Sequence, residues 1–263
     1  MQVITSKDNE IIKNIRRLKD KKYRDIAKQY IVEGVKLIEE AIEEDAKIDK
    51  IVVCEECIKD STLEQKLLYE IAKYDCIYVS EKIFGLLTDV TTPQGILAVI
   101  NKECNEDSID YEQDMIVILD GIQDPGNLGT ILRTIDSVGL NQIIVSSNTA
   151  DAYNPKVVRS TMGAIFRVKV IESKNLIETI KNIKKHKFKI VATSLQTENS
   201  IYEIEYNKKA LVIGNEANGV SDEILEASDI KAKIPMLGKT ESLNASVATS
   251  VILYEYVRQK MSH

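Results

Sequence analysis

Residues 115–263 alternate short apolar segments with helical ones, and this alternation restricts the fold more than any other feature of the chain. The apolar segments predict strands at 115–119, 142–145, 167–171, 189–193, 210–213 and 232–234. The segments between and after them predict helices that end near residue 138 and that span 154–162, 175–185, 221–226 and 242–259. Strands that alternate with helices predict a parallel sheet covered by helices on both faces.

The chain before residue 103 predicts a second, smaller α/β unit. A helix capped by Thr5 or Ser6 is expected to place Ile11, Ile15 and Leu18 on one face. Further strands are predicted at 30–32, 51–53, 77–79 and 95–100, and further helices near 35–42, 63–74 and 83–87. Residues 103–114 carry six acids and no base, which is typical of a linker. The predicted division is therefore 1–102, 103–114 and 115–263.

The charge is distributed unevenly along the chain. The net charge is −6, which argues against a general nucleic-acid binder. Residues 1–36, however, hold ten basic and five acidic side chains, so this segment carries +5 and the remainder −11. A basic patch on an acidic body can bind RNA locally, although a charged run is more often a solvated helix face.

Composition excludes several classes of protein. No apolar run approaches the roughly 18 residues of a membrane span, and the polar start lacks the pattern of a signal peptide, so a cytoplasmic protein is expected. Cys54 and Cys57 have CxxC spacing without a second pair, so free thiols are expected rather than a zinc site, as for Cys76 and Cys104. His186 and His263 lie far from the loops described next, so neither Ser–His chemistry nor a metal site is expected.

The first of three unusual loops spans residues 124–134 and follows a buried strand. Pro125 and Gly126 predict a tight turn, and Asn127 is a candidate cap for the next helix. Arg133 lies six residues later, less than two helical turns away. Taken alone, this pattern also fits a capped helix with a solvated arginine.

The other two loops follow two later strands. In 211–221, Gly214 comes directly after a strand and Gly219 five residues later, a pattern that allows the backbone to wrap around a ligand but also fits an ordinary strand–turn–helix link. In 234–250, Pro235 ends a strand, and the next helix begins with Ser, Asn and small residues. Val247, Val251 and Tyr254 form the apolar stripe of that helix. Ligands of open parallel sheets bind beyond the carboxyl ends of the strands, where all three loops are predicted to lie.

Together the three loops resemble the signature motifs of the SpoU (TrmH-like) family of RNA ribose 2′-O-methyltransferases. The residues that carry the resemblance are 127–134 (NLGTILRT), 211–221 (LVIGNEANGVS), 234–236 (IPM) and 242–248 (SLNASVA), and 154–164 (NPKVVRSTMGA) also looks like the family. One departure is Ile135, where the family usually has alanine. Residues 4–10 and 31–41 resemble the substrate-binding domain of rRNA-directed members, which is similar to a small ribosomal protein that binds kink-turns.

The resemblance implies an α/β catalytic domain with a deep trefoil knot, a homodimer with the active site at the subunit interface, and methyl transfer from S-adenosylmethionine without a metal. It assigns catalysis to Asn127, Arg133, Glu216, Ser242 and Asn244. It assigns cofactor binding to Thr193, Ser194, Leu195, Ile213, Gly214, Asn215, Gly219, Ile234, Met236, Leu243, Asn244 and Ala248. RNA binding is expected from Lys13, Arg16, Arg17, Lys21, Lys22, Arg24 and Arg159.

Several points stay open at the level of sequence. Arg133 either accepts the proton of the 2′-hydroxyl or only orients the reacting groups. The substrate is expected to be large-subunit rRNA, and tRNA is the second candidate. Two further hypotheses are an RNA-binding assembly factor that retains the fold without activity and an unrelated nucleotide-binding enzyme, although the latter lacks a P-loop lysine.

Overall fold

The computed structural model describes residues 3–58, 65–102 and 108–262, which pack into two compact units. The first unit joins the described residues before 103 with Tyr153–Phe166, and the second holds the remaining described residues from 108 to 262. Each unit is built on one sheet.

The strands, in chain order, are β1 (Val3–Ile4), β2 (Gln29–Glu33), β3 (Ile48–Val53), β4 (Cys76–Val79), β5 (Ile96–Asn101), β6 (Met115–Asp120), β7 (Gln142–Ser146), β8 (Lys169–Ser173), β9 (Lys189–Thr193), β10 (Lys209–Gly214) and β11 (Ile230–Ala232). The helices are α1 (Glu10–Arg17), α2 (Lys21–Ala27), α3 (Val35–Glu43), α4 (Gln65–Ile71), α5 (Glu81–Leu87), α6 (Pro125–Ser137), α7 (Pro155–Thr161), α8 (Leu176–Lys185), α9 (Asp222–Ala227) and α10 (Ala245–Met261).

The sheet of the first unit is mixed and has the order β1-β4-β3-β5-β2. β1, β4 and β3 are parallel, whereas β5 runs antiparallel to β3 and to β2. α1 and α5 pack on this sheet through buried side chains that include Ile12, Ile15 and Phe84. The helix cap is Asn9 and not Thr5 or Ser6, because the Asn9 side chain accepts hydrogen bonds from the backbone of the first turn. This later start buries Ile12 in place of the predicted Ile11.

The sheet of the second unit contains six strands that are all parallel, as predicted, and their order is β11-β9-β10-β6-β7-β8. α8 and α9 cover one face, where Ile180 and Ile224 join a cluster of strand residues such as Ile118. The alternate strand residues are also buried, and α6 and α10 pack against one another and against β7 and β10. The sheet is thus covered on both faces, which explains its nearly continuous apolar strands.

At the three motif loops, the starts of α6 and α10 and the end of β11 differ from the prediction. The cap of α6 is Asp124, whose carboxylate accepts the Asn127 N–H at 2.8 Å, and Asn127 lies inside the helix. α10 begins at Ala245 with Asn244 as its cap, so Ser242 precedes the helix. β11 ends at Ala232, so Ile234 belongs to the loop that follows. Asn127 is therefore not a helix cap, Ile234 is not a strand residue and Ser242 is not part of the last helix, contrary to the prediction.

Tyr153–Phe166 belongs to the first unit, although it follows more than 30 residues of the second in sequence. α7 packs on β2, and the rings of Tyr153 and Tyr30 lie with their centroids 4.9 Å apart. The segment is therefore part of the core of the first unit. No described helix is both long and apolar enough to cross a membrane.

Candidate active site

The carboxyl ends of four adjacent strands place the sequence motifs at one edge of the second sheet. β6, β10, β9 and β11 are neighbours, and they end at Asp120, Gly214, Thr193 and Ala232. Three loops leave this edge: the β6–α6 loop (residues 121–124), the β10–α9 loop (residues 215–221) and the β11–α10 loop (residues 233–244). The sheet order therefore brings together motifs that are more than 100 residues apart.

A chain of hydrogen bonds links three of the predicted catalytic residues. The Asn127 amide nitrogen donates to Glu216 Oε1 at 2.8 Å. The Asn127 oxygen accepts from the Asn244 amide at 3.0 Å. The Asn244 oxygen in turn accepts from the Ser246 backbone N–H at 3.0 Å. The nitrogen and the oxygen of both side-chain amides are hydrogen-bonded. The β10–α9 and β11–α10 loops therefore fix the orientation of Asn127.

Glu216 stays ionised in this network. Burial would raise the pKa of its carboxyl, but hydrogen bonds from Asn127 and from the backbone outweigh this effect, and the pKa is lowered from the ordinary value. The Gln123 N–H is one such donor, at 3.4 Å from Glu216 Oε2. A carboxylate with a lowered pKa is a weak base, so the chemistry of Glu216 is to accept hydrogen bonds and hold charge.

The β10–α9 loop is closed on itself. Asn215 and Gly219 exchange two backbone hydrogen bonds of 2.9 Å, and Gly219 has a φ of +70°. A Cβ on Gly214 would lie 2.1 Å from the Gly219 carbonyl carbon and from the Val220 nitrogen. Only glycine therefore fits at Gly214, because the returning backbone occupies the space of a side chain.

Two contacts tie the same loop to the end of β6. The Asn215 side-chain amide donates to the Gly121 carbonyl at 2.7 Å. The Ser221 N–H donates to Asp120 Oδ2 at 2.9 Å. Asp120 and Gly121 were not predicted to hold the site, and the signal for them is their position directly after a buried strand.

Arg133 and Ser242 are not part of this network. Arg133 lies exposed on α6, and no side chain in the described ranges forms an ion pair or hydrogen bond with its guanidinium. Ser242 is exposed in the β11–α10 loop. The structure thus joins Asn127, Glu216 and Asn244, and it leaves Arg133 and Ser242 open to a ligand or a partner.

The predicted cofactor residues surround the same edge. The Thr193 hydroxyl donates to the Val212 carbonyl at 3.2 Å, and the Ser194 N–H donates to the Ala232 carbonyl at 3.0 Å. Leu195 is exposed, whereas Ile213 and Gly214 are buried at the end of β10. The remaining members, which are half-buried in or beside the β11–α10 loop, are Ile234, Met236, Leu243 and Ala248.

The β11–α10 loop also presents Leu237, which the sequence did not single out. Its side chain is fully exposed, and residues 234–243 form no hydrogen bond with the described part of the chain. Exposed leucines at 195 and 237, together with backbone groups and uncharged side chains, suit a neutral heteroaromatic and sugar better than a polyphosphate. The residues present therefore fit the adenosyl part of S-adenosylmethionine.

The first three turns of α10 expose apolar side chains on their outer side. Its buried side packs on the second unit through residues such as Thr249 and Leu253, and Ser250 is hydrogen-bonded to Thr134 of α6 at 3.0 Å. The predicted stripe lies on the other side, where Val247 is 48% and Tyr254 54% exposed. The stripe is therefore not used in the core of this chain.

The predicted RNA-binding residues fall into three groups. The prediction for Arg24 is wrong, because this side chain is buried and donates to the carbonyls of Leu18 and Lys19 at 2.7 and 2.8 Å. These bonds anchor α2 to the preceding turn. Arg159 lies in the first unit with its Nη1 atom buried. The others are Lys13, which is paired with Glu10, and the exposed Arg16, Arg17, Lys21 and Lys22.

The three described cysteines do not form a site of their own. Cys54, Cys57 and Cys76 are free thiols, and Cys104 lies outside the described residues. Within the described ranges, no three His, Cys, Asp or Glu side chains are grouped so that they could share a metal ion.

Comparison with known proteins gives the same assignment for both parts of the chain. A model of the SpoU rRNA methylase family matches residues 114–254. A model of the MRM3-like substrate binding domain matches residues 9–98.

Individual relatives cover between about two thirds of the chain and nearly all of it. The 23S rRNA (guanosine(2553)-2′-O)-methyltransferase RlmP of Bacillus subtilis is 34% identical over 97% of this chain and 98% of its own length. The 23S rRNA (guanosine-2′-O-)-methyltransferase RlmB of Bordetella pertussis is 36% identical over 69% of this chain and 76% of its own length. The SpoU methyltransferase AviRb of Streptomyces viridochromogenes, solved with the cofactor AdoMet, superposes with a TM-score of 0.86 at 26% identity and covers 97% of this chain and 99% of that one.

These matches confirm the predicted resemblance and the predicted fold class, an α/β methyltransferase domain preceded by a smaller domain. The three loops at the carboxyl edge are the motifs that carried the prediction, and they lie within the matched region. The chain belongs to the SpoU rRNA methylase family.

Proposed function

We propose that this protein transfers a methyl group from S-adenosylmethionine to the 2′-hydroxyl of a ribose in large-subunit rRNA. The observation that carries the proposal is the hydrogen-bonded chain Glu216–Asn127–Asn244, which joins the three motif loops at the carboxyl edge of the sheet. The activities of the two 23S rRNA relatives support the class of RNA. The AdoMet complex of the Streptomyces enzyme supports the methyl donor.

S-adenosylmethionine supplies, when bound, a methyl group activated by a positively charged sulfur. The residues of the chain have to align the ribose oxygen with that methyl, and alignment alone can contribute about 7–11 kcal/mol. Asn127 and Asn244 fix each other and are positioning residues in this proposal. Glu216 supplies a carboxylate that holds Asn127 in one orientation.

Arg133 is proposed to orient the ribose oxygen and an adjacent phosphate. An arginine side chain normally remains protonated throughout the physiological pH range, so it is a poor proton acceptor. Its guanidinium is exposed and has no partner among the described side chains, which leaves its donors available for an RNA phosphate. The proton of the hydroxyl then leaves to water.

Substitution of Arg133 by alanine and by lysine separates the effect of its positive charge from the effect of its fork-shaped donor pattern. Arg133→Ala is expected to abolish turnover while the donor still binds. Arg133→Lys retains the charge and is expected to retain part of the RNA affinity, but not the fork-shaped donor pattern. Near-normal turnover of Arg133→Ala would contradict the assigned role.

A homodimer and a knotted C-terminus are part of the proposal. The apolar outer side of α10, with Val247 and Tyr254 exposed, offers a surface for a second copy. α10 packs directly on α6, which carries Arg133, so a partner seated on α10 would lie near that arginine. The cytoplasm, where ribosomal RNA is modified, is the proposed location.

Two variants with strongly reduced turnover can test whether the active site is shared between subunits. Arg133→Ala and Asn127→Ala are co-expressed so that mixed dimers form. If Arg133 acts on the partner's Asn127 site, one site of each mixed dimer is intact, and about a quarter of wild-type turnover returns. If each site is built from one subunit, no turnover returns.

The reaction itself is tested by transfer of labelled methyl from S-adenosylmethionine to undermodified ribosomal RNA and, separately, to tRNA. A 2′-O-methyl group blocks alkaline cleavage at the neighbouring phosphodiester. Label in alkali-resistant dinucleotides from rRNA is the expected result, and label only in tRNA would change the substrate. Donor binding without transfer to either RNA would favour the assembly-factor hypothesis.

A further inference from the structure

α2 is a short helix that its own unit scarcely covers. Of its seven residues only Arg24 is buried, and the hydrogen bonds from Arg24 to the Leu18 and Lys19 carbonyls anchor the helix. Tyr23 is 36% and Ile26 69% exposed. Helices this short depend on packing for their stability, so the exposed apolar side chains make α2 a candidate surface for a ligand.

The same surface is strongly basic. Glu10–Lys28 contains eight basic and three acidic residues. Arg16, Lys21 and Lys22 are exposed, and none of them forms an ion pair within the described part of the chain. Unpaired cations around an exposed aromatic ring are complementary to a polyanion that carries flat apolar groups, which is the chemistry of single-stranded RNA.

Two cations are already placed around the ring of Tyr23. The Arg17 Cζ lies 5.6 Å from the ring centroid, and the Lys22 Nζ lies 6.0 Å from it. A base stacked on the exposed part of this ring would bring its flanking phosphates within the reach of such side chains. Phosphate contacts alone give affinity without distinguishing paired from unpaired RNA, whereas a stacking platform requires an unpaired base.

We propose that Tyr23 stacks on an unpaired base of the RNA substrate and that Arg17 and Lys22 bind the phosphates beside it. This proposal rests on the proposed function, since it names how the first unit holds the RNA that the second unit methylates. Tyr23 is a binding residue here and takes no part in the methyl transfer.

The first unit contains a matched control. Tyr69 on α4 is 71% exposed, and Lys73 lies 5.0 Å from its ring centroid. Lys73, however, is paired with Glu70 at 2.6 Å, so this tyrosine lacks the surplus of cations. Tyr69 is therefore an exposed tyrosine whose neighbouring cation is neutralised, and we expect it not to contact RNA.

Fluorescence gives a direct readout because the chain contains no tryptophan. Tyr23→Trp and Tyr69→Trp each introduce a single reporter into the chain with both units present. Addition of an unmodified 23S rRNA transcript is expected to quench the emission at position 23 and to leave position 69 unchanged. Absence of quenching at position 23, while the RNA is bound, would overturn the proposal.

Affinity at two salt concentrations separates stacking from charge. Tyr23→Ala is expected to bind the transcript about tenfold more weakly, and Tyr23→Phe within about twofold of wild type, because the aromatic face is retained. The salt dependence of Tyr23→Ala should match that of wild type, whereas Lys22→Ala should lower the slope by about 0.7–0.9. Equal affinity of Tyr23→Ala and wild type would also overturn the proposal.

The outcome can be told apart from a failure of the proposed function. Binding and quenching are measured without the methyl donor, so they do not depend on turnover. If the wild-type protein binds and methylates rRNA while Tyr23→Ala does both equally well, only the stacking proposal fails. If wild-type protein methylates no RNA, the proposed function fails whatever Tyr23 does.

Discussion

The β10–α9 loop and the β11–α10 loop leave neighbouring parts of one sheet edge, yet they are held very differently. The first is closed by two Asn215–Gly219 backbone bonds and tied to Asp120 and Gly121. The second makes no hydrogen bond over residues 234–243 within the described part of the chain, and it exposes Leu237 completely. Both loops carry motif residues. They differ in how many of their hydrogen bonds are already formed before a ligand binds.

This difference indicates a division of work within the site. A loop that is fixed by its own backbone offers preorganised groups and loses little entropy on binding. A loop without internal hydrogen bonds can adjust when a ligand or a second subunit covers it, so we expect binding there to be coupled to a change of the loop. Only at Asn244, where α10 begins, does the open loop join the fixed network.

The largest expected effect tests the rigidity of the closed loop. In Gly214→Ala the new methyl group would overlap the backbone of Gly219 and Val220, so the loop has to move. We expect loss of donor binding by calorimetry and a clear drop in the melting temperature. Gly238→Ala in the open loop is the control, since a Cβ added there would have nothing within 4 Å, and its stability without donor should equal that of wild type. Equal melting temperatures of Gly214→Ala and Gly238→Ala would show that the two loops do not differ in rigidity.

The next effect tests the link between the two loops. Asn127→Ala removes a hydrogen bond to a carboxylate and one to Asn244, and such bonds are each worth about 1–3 kcal/mol. We expect kcat/KM for rRNA to fall about 10- to 100-fold, with the larger share in kcat. Asn218→Ala, in the same closed loop, is the matched control. A loss confined to RNA affinity would show that Asn127 does not align the reacting groups.

A smaller effect tests whether the open loop covers the donor. Leu237→Ser removes an apolar side chain that has no contact to lose in the free protein. If Leu237 closes over the adenosyl group, donor affinity should fall about tenfold, in keeping with about 1.5 kcal/mol for partial burial of a leucine. Leu68→Ser, an exposed leucine of the first unit, should leave donor affinity unchanged. Unchanged affinity in both variants would place Leu237 outside the cofactor site.

The smallest effect is the pH dependence of the closed loop. Because hydrogen bonds hold the pKa of Glu216 below its ordinary value, its contribution to stability is present above the pKa of the unfolded chain and is lost as the pH falls through the folded pKa. The stability difference between wild type and Glu216→Gln should therefore be constant from pH 8 to about pH 5 and shrink below about pH 4.3. A change near neutrality would show that a different group is titrating.

The sequence predicted the parallel sheet and the three loops because both depend on local patterns. Apolar runs mark buried strands, and Gly214 is the last residue of its strand, where no side chain fits. The helix caps were harder to predict, because Asp124 and Asn127 are both good caps three residues apart, and only the structure shows which one accepts the N–H. Arg24 was wrongly predicted to bind RNA, because the sequence alone does not distinguish a buried arginine from a solvated one.

The placement of Tyr153–Phe166 in the first unit could not be predicted, since its packing on β2 is a contact between distant parts of the chain. It has a consequence for biosynthesis. A nascent chain that has emerged only as far as residue 115 lacks α7, so we expect Tyr30 and β2 to lack this cover at that stage. Domains generally fold as units during synthesis, but we expect this one to complete its packing only after β6 and β7 of the second sheet have also been translated. Exchange of N-terminal segments between relatives at residue 115 would therefore separate a domain from part of its own core.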